Sequence, residues 1–418
     1  MMGDIVREAL HGLYHHRFRV ALSMLGISWG IISVVTLLAY GNGFRAAFEA
    51  GFRGAFSDGV SVAFPSQTSL QAGGERAGRR VRVKPADVLE LTQLPYVKHV
   101  SPEFIKEVPI VLGNRQSSHM VRAVAASYGS MRSETPQAGG RFLDEEDVRL
   151  RRRVAFIGSE VERKLFGGAP AVGQTIRVKG IPFEVVGVGV EKVQMSNYNR
   201  PDKYCVFIPW TLMASLDDAQ FVSNFVFQAV SPRLEVKAIR QVRQFMAARY
   251  RYDPRDERAL NLFGSADVQA IVGPIITGLQ TILTFIGLVT LAIGGVGIMN
   301  IMFVNVQERT REIGIRKALG APRRQILLQF LLEGMVTTTL GGAVGIAASY
   351  ALAWLLTPRP FLSELLDDAS GSTDIHLVVS PGLVILSTAI LMTVGFVAGL
   401  LPAVKASRLD PIDALRYE

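Results

Sequence analysis

VQAIVGPIITGLQTILTFIGLVTLAIGGVGIMNIMFVNVQ, residues 268–307, runs for 40 residues without a charge. As one α-helix it would be about 60 Å long, about twice the hydrocarbon thickness of a bilayer. Tilt cannot absorb that excess, so part of this helix should stand beyond the membrane as a stalk. Three other stretches are nearly uncharged: Val20–Tyr40, Gln325–Thr357 with only Glu333, and Ile375–Val404 with Pro381 near its start and Pro402 near its end. Val20–Tyr40 is too long for the apolar part of a signal peptide and reads as a retained span. Charged residues make up 19% of the 418 residues, against about 25% in average soluble domains, and the deficit is confined to these runs. That excludes a wholly soluble enzyme, a disordered chain and a fibrous protein. The expected fold is membrane α-helical, with four transmembrane helices and a large α+β extracytoplasmic domain inserted between the first and second.

After the first span, FRAAFEAGFRGAF places Phe44, Phe48, Phe52 and Phe56 four apart. This is a helical stripe, expected to extend the first span into a second stalk helix that packs on the first through these rings. A surface-lying amphipathic helix is the alternative. Orientation follows Lys/Arg in the short flanks. Arg7, Arg17 and Arg19 lie before the first span. Arg309, Arg311, Arg316, Lys317, Arg323 and Arg324 lie in the loop before the third, and Lys405, Arg408 and Arg416 in the tail. The loop between the third and fourth spans has Arg359 against Glu364, Asp367, Asp368 and Asp374. Both termini and residues 306–324 are therefore expected in the cytoplasm.

The expected division is 1–19 as an amphipathic cytoplasmic segment, 20–42 as the first span, and 43–268 as the outer domain with its stalk. Residues 269–306 form stalk and second span, 307–324 a cytoplasmic coupling helix, 325–357 the third span, 358–378 a short outer loop, 379–404 the fourth span and 405–418 the tail. Within the spans Glu333 is the one carboxylate, near enough to the cytoplasmic interface to cap or snorkel, or to act in the mechanism. GxxxG spacings at Gly26/Gly30, Gly341/Gly345 and Gly395/Gly399 permit close helix approach.

Most of the net charge of +9 lies outside the spans, since residues 41–270 hold 32 Lys+Arg against 24 Asp+Glu. The densest run, Arg151–Arg153 beside Asp144–Asp147, reads as a solvated helix face, and no nucleic-acid partner is implied. Strands are expected at Val60–Phe64, Ile105–Leu112, Val121–Ala125, Val154–Ile157, Thr175–Lys179, Phe183–Val190, Tyr204–Ile208 and Phe221–Val230. Helices are expected at Pro85–Leu94, Asp144–Arg149, Ser159–Phe166 and Arg233–Tyr250, with room for two subdomains. Ser66–Gly78, rich in Gly, Ser and Gln, reads as a mobile loop. Cys205 is the single cysteine and is read as a buried apolar residue. His99 and His119 lack ligand-spaced partners, and no catalytic motif occurs, so no catalytic, cofactor-binding or metal-binding residue is expected.

NVQERTREIGIRKALGAPRRQ, residues 305–325, carries the most specific signal. Glu312 and Arg316 form an i,i+4 pair, Ile315, Ala318 and Leu319 make an apolar face, Gly320 stops the helix and Pro322 starts the next. Such a helix fits a partner's groove or, alternatively, only lipid headgroups. In the tail, Asp410 and Pro411 open a second short helix.

Residues 297–321, GIMNIMFVNVQERTREIGIRKALGA, together with MLGISWGIISVVTLLAYGNG (24–43), GRFLDEEDVRLRRRVAFIGSEVERKLFGG (140–168) and the closing residues 401–418, resemble the MacB/FtsX-like ABC transporter permeases over nearly the whole chain. The resemblance implies four spans per subunit, a homodimer in the bacterial inner membrane, and coupling to an ATPase. The chain contains no GxxxxGK[ST] and no Gly-Lys dipeptide. It is therefore expected not to be an enzyme by itself, ATP and Mg being bound by a separate ABC ATPase subunit. Glu308, Arg309, Arg311, Glu312, Gly314, Arg316 and Lys317 would make the ATPase-coupling surface, with Arg17 and Arg19 nearby. Export through a periplasmic adaptor and outer-membrane channel is the implied activity. The alternatives are a regulatory scaffold that activates an extracytoplasmic enzyme and a lipoprotein-extracting permease. The substrate is not implied.

Overall fold

The computed structural model describes residues 17–53, 57–72, 74–194, 198–356, 363, 371 and 373–415. Phe56, Arg7, Arg359, Glu364, Asp367, Asp368 and Arg416 lie outside these, as do the side chains of Arg17 and Arg19. The chain forms two compact units. One comprises residues 1–47, 275–360 and 374–418, and the other residues 48–274 and 361–373.

In chain order, α1 (Arg17–Arg53) is followed by β1 (Val60–Pro65), α2 (Pro85–Leu89), β2 (Val97–Leu112), β3 (Arg115–Val124), α3 (Tyr128–Met131), α4 (Glu145–Leu150), β4 (Val154–Ile157) and α5 (Ser159–Phe166). Next come β5 (Thr175–Val178), β6 (Ile181–Val188), β7 (Cys205–Pro209), β8 (Asn224–Ala229), α6 (Glu235–Tyr250) and β9 (Leu260–Gly264). The chain closes with α7 (Ser265–Glu308), α8 (Thr310–Ala318), α9 (Arg323–Leu356), α10 (Pro381–Arg408) and α11 (Pro411–Leu415).

Among the described residues four helices are long and apolar enough to cross a membrane: α1 from Met24 to Phe52, α7, α9 and α10. α7 has 44 residues, about 66 Å of helix. α1 continues through Phe44, Phe48 and Phe52 without a break, and the Phe48 and Phe52 rings lie 5.7 Å apart. α10 runs through Pro402 to Arg408, beyond the boundary expected at 404. In a span, a proline is tolerated where neighbouring helices satisfy the freed backbone groups.

Helix contact in this unit is governed by missing side chains. A Cβ on Gly345 would overlap the Ile31 side chain and stand 2.9 Å from the Ser28 carbonyl oxygen, and one on Gly395 would lie 2.6 Å from Thr338. The Ser28 hydroxyl donates to the Gly341 carbonyl at 2.8 Å. All three GxxxG spacings lie at crossings, although Gly26 itself has open space where its Cβ would be and contributes its backbone, against Gly294. Hydroxyls along the helices, such as Thr284 and Thr338, donate back to carbonyls four residues earlier, which satisfies them without a partner helix.

Among the described residues the inserted domain has nine strands ordered β3-β7-β4-β6-β5-β2-β8-β1-β9, and β3 also pairs with β2. That last pairing closes β2, β3, β7, β4, β6 and β5 on themselves as a small barrel. The sheet β2-β8-β1-β9 is antiparallel throughout. β2 serves both parts. Its residues up to Glu103 pair with β8, and those from Phe104 pair with β3. Pro102 stands at this changeover, where its missing amide hydrogen is least costly to the ladders.

Two expectations are corrected here. Ser69 and Leu70, within the stretch Ser66–Gly78 expected to be a mobile loop, are fastened rather than loose. The Asp256 carboxylate accepts from the Ser69 amide and hydroxyl, both at 2.6 Å, and from the Leu70 amide at 2.8 Å. The block at 144–153 is not a uniformly solvated face either. Asp147 is fully buried, completes a capping box with Asp144, and pairs with Arg141 at 2.6 Å. Burial works to raise the Asp147 pKa, but the Arg141 hydrogen bond and the capping amide hold it below the ordinary range. Arg151 is the left-handed cap of α4.

Gly345→Ala should lower the detergent melting stability of the chain by about 1–3 kcal/mol, because a backbone carbonyl opposes the new methyl. Gly26→Ala should stay within about 0.5 kcal/mol. Equal melting of both variants in differential scanning fluorimetry would contradict the crossing described here.

Candidate coupling surface

α8 is short because its ends are set locally. Arg309 lies between α7 and α8, and after α8 Gly320 takes φ +96°, a conformation glycine adopts without steric cost. The Ala321 amide closes on the Arg316 carbonyl at 3.0 Å, a left-handed helix stop. α11 is begun by Asp410, whose carboxylate accepts from the Ile412 amide at 2.9 Å, and by Pro411. The two short helices pack on each other. A Cβ at Gly314 would lie 2.7 Å from the Ala414 Cβ.

The seven candidate residues divide into two sets. Arg309 turns back to Glu333 on α9 at 3.4 Å. Lys317 donates to the carbonyls of Ser407, at 3.0 Å, and Leu409, at the end of α10. A cation is favoured there by the helix dipole. Gly314 is buried against α11. These three hold α8 to its own chain, so Arg309 and Lys317 do not present their charges outward as expected. Glu308, Arg311 and Glu312 are exposed, and Arg316 bridges Glu312 at 2.7 Å and Gln329 on α9 at 3.0 Å. Beside them stand Ile315, 46% exposed, Leu319, 84% exposed, and Ile412, 70% exposed. The exposed residues of this segment thus combine large apolar side chains with charges of both signs.

Residues 20–245 match the MacB-like periplasmic core domain and residues 284–411 the FtsX-like permease C-terminal region. The chain belongs to the MacB/FtsX-like ABC transporter permease family. It is 35% identical to the macrolide export ATP-binding/permease protein MacB of Bdellovibrio bacteriovorus over 100% of its own length and 62% of that relative's. It is 30% identical to the uncharacterized ABC transporter permease YknZ of Bacillus subtilis, covering 99% of this chain and 98% of that one. The chain spans about three fifths of the length of several MacB relatives that it matches. A solved structure, the periplasmic region of MacB from Actinobacillus actinomycetemcomitans, is similar at TM-score 0.41 and 15% identity over 53% of this chain and 95% of that one. The chain is accordingly a multi-pass membrane protein with a periplasmic-core-type domain.

In that domain of this permease, sequence reasoning missed a buried charged cluster. Arg122, fully buried on β3, donates to Glu103 at 2.9 Å, to the Tyr128 hydroxyl at 3.1 Å and to the carbonyls of Tyr198 and Arg200. Lys192 bridges Glu134 at 2.6 Å and Asp202 at 3.0 Å, and Arg132 stands 3.7 Å from Asp202. No spacing links these residues, so only the fold brings them together. Burial pushes the Glu134 carboxyl up to about 8, with Lys192 opposing. Burial also works to raise Asp202, but Lys192, Arg132 and Arg122 outweigh it and keep it below the ordinary range. Cys205 is buried beside this cluster, and burial pushes its thiol up to about 12. His119 is buried, and burial lowers its pKa. His99 pairs with Gln228 in the sheet. Among the described residues no group of His, Cys, Asp or Glu is arranged to hold a metal ion.

A carboxyl raised in the folded state binds its proton more tightly there than in the unfolded chain. Its stabilising effect is present at low pH and is lost as pH rises toward about 8. The domain should therefore lose up to about 1.4 kcal/mol per pH unit from this group over that window. Glu134→Gln should remove that part of the slope. Denaturation curves between pH 5 and 8, measured with and without the substitution, check this, and an unchanged slope would contradict it.

Proposed function

We propose that the chain is the permease subunit of an ABC exporter in a bacterial inner membrane, working as a homodimer with a separate ATPase subunit that binds ATP and Mg. The carrying observation is the two-sided α8. Its inner side is tied to α9, α10 and α11 by Glu333–Arg309, Lys317 and Gly314. Its outer side offers Ile315 and Leu319 among Glu308, Arg311 and Glu312. A partner that grips the outer side moves the spans, because the inner side does not slip.

The Lys/Arg bias puts residues 306–324 and both termini in the cytoplasm, facing such an ATPase, and residues 43–268 outside. Phe44, Phe48, Phe52 and Phe56 then belong to a stalk that carries the motion to the outer domain. The export named for the MacB relatives favours outward movement of substrate, and in this reading the substrate leaves through a periplasmic adaptor and an outer-membrane channel. Lipid surrounds the exposed apolar residues of α7, among them Ile282, Phe285 and Ile293.

The test is an Ile315→Asp, Leu319→Asp double variant, reconstituted with the ATPase subunit. Two exposed positions change, so insertion and melting should stay normal. Stimulated ATP hydrolysis and transport should fall together by at least about tenfold, the loss expected of removing two apolar anchors from an interface. Unchanged transport by the inserted variant would place coupling elsewhere.

A further inference from the structure

The long helix α7 leaves the inserted domain through a joint built on one buried carboxylate. Glu235, the first residue of α6, is 2% exposed. It accepts from the Ser61 hydroxyl of β1 at 3.0 Å, from the Ser265 hydroxyl at 2.5 Å and from the Ala266 amide at 3.1 Å. Ser265 and Ala266 are the first two residues of α7. The Ser265 hydroxyl also accepts from the Gly59 amide at 3.1 Å. Ser61, where the chain enters the sheet, and Ser265 and Ala266, where it leaves, therefore meet on the Glu235 side chain, and Gly59 joins them through the Ser265 hydroxyl.

This is not an ordinary helix cap. The residue before α7 is Gly264, which has no side chain to offer. Its amide is taken by Asp267 at 2.9 Å, three residues on. The Ala266 amide is served instead from 31 residues earlier in the chain. Gly264 is required by the arrangement, since a Cβ there would overlap both the Glu235 carboxylate and the Ser61 hydroxyl. Behind Glu235, the buried face of α6, Ala238, Val242, Met246 and Ala247, belongs to the main core of the domain. The three donors are neutral, and the helix dipole at the start of α7 supports the carboxylate's charge. A buried carboxylate that loses such donors is left with its desolvation cost, so the joint holds as a unit.

We propose that Glu235 is the positioning residue of a rigid joint that makes the start of α7 and the sheet of the inserted domain move as one body. Motion imposed on α7 then reaches the sheet and is not dissipated by bending at Gly264. This deepens the coupling role argued above and rests on it.

The experiment uses the full chain in lipid nanodiscs with its ATPase subunit. Spin labels are placed at Arg240→Cys on α6 and Gln269→Cys on α7, both exposed, in a Cys205→Ser background. The parent should give one narrow distance distribution. Glu235→Gln and Ser265→Ala should each broaden it. In the same variants ATP hydrolysis should stay at the parental level while transport falls about tenfold, an allosteric coupling loss of ordinary size. Ser265→Ala removes only a hydroxyl, so it carries the test if Glu235→Gln does not fold. An unbroadened distribution, or broadening with undiminished transport, overturns the proposal. So does a parallel loss of hydrolysis and transport, which marks a general folding defect. If the parent itself neither hydrolyses nor transports while the broadening still occurs, the coupling reading fails and the joint stands.

Discussion

Gly314 has no side chain, and Ala414 stands 2.7 Å from where its Cβ would be. That contact sets the spacing of α8 and α11, and much of the helical unit's inner edge depends on it. With α11 held close, the end of α10 is brought to Lys317, whose ammonium takes up two of its last carbonyls. With α8 held in place, Arg309 reaches Glu333, and a carboxylate in a span gains a partner. Breaking such a pair by removing one partner costs several kcal/mol where the survivor stays buried. A single missing methyl thus lets three helix ends act as one piece.

The same logic recurs at the other end of α7. There Gly264 clears space for Glu235, and a buried carboxylate gathers the chain's entry to and exit from the sheet. α7 runs from Ser265 to Glu308 with Pro274 inside it, and its first residues are the ones tied to the domain core.

The parts legible in the sequence were those with a local cause. Forty uncharged residues foretold α7, and the four-residue Phe spacing foretold the continuation of α1. Gly320 and Pro322 bounded α8. β9 was missed because LNLFG offers only five residues, pairing with β1 across the whole inserted domain. β2 was read too short because Pro102 and charged residues interrupt its apolar pattern, although they occupy the changeover between two sheets. Ser66–Gly78 looked loose because its composition is that of a flexible segment, and its anchor, Asp256, lies far along the chain. Arg309 and Lys317 looked like partner-facing cations because charge alone does not reveal which way a side chain turns. The cluster around Arg122 left no trace in spacing at all.

The central claim is that α8 has one side that belongs to this chain and one that belongs to an ATPase. Photo-cross-linking residues placed singly along 308–319, in membranes that contain the assembled transporter, read this directly. Cross-links to the ATPase subunit should come from positions 308, 311, 312, 315 and 319, and not from 313 or 314, which are buried against the chain itself. Equal cross-linking from every position, or none from 315 and 319, would contradict the account.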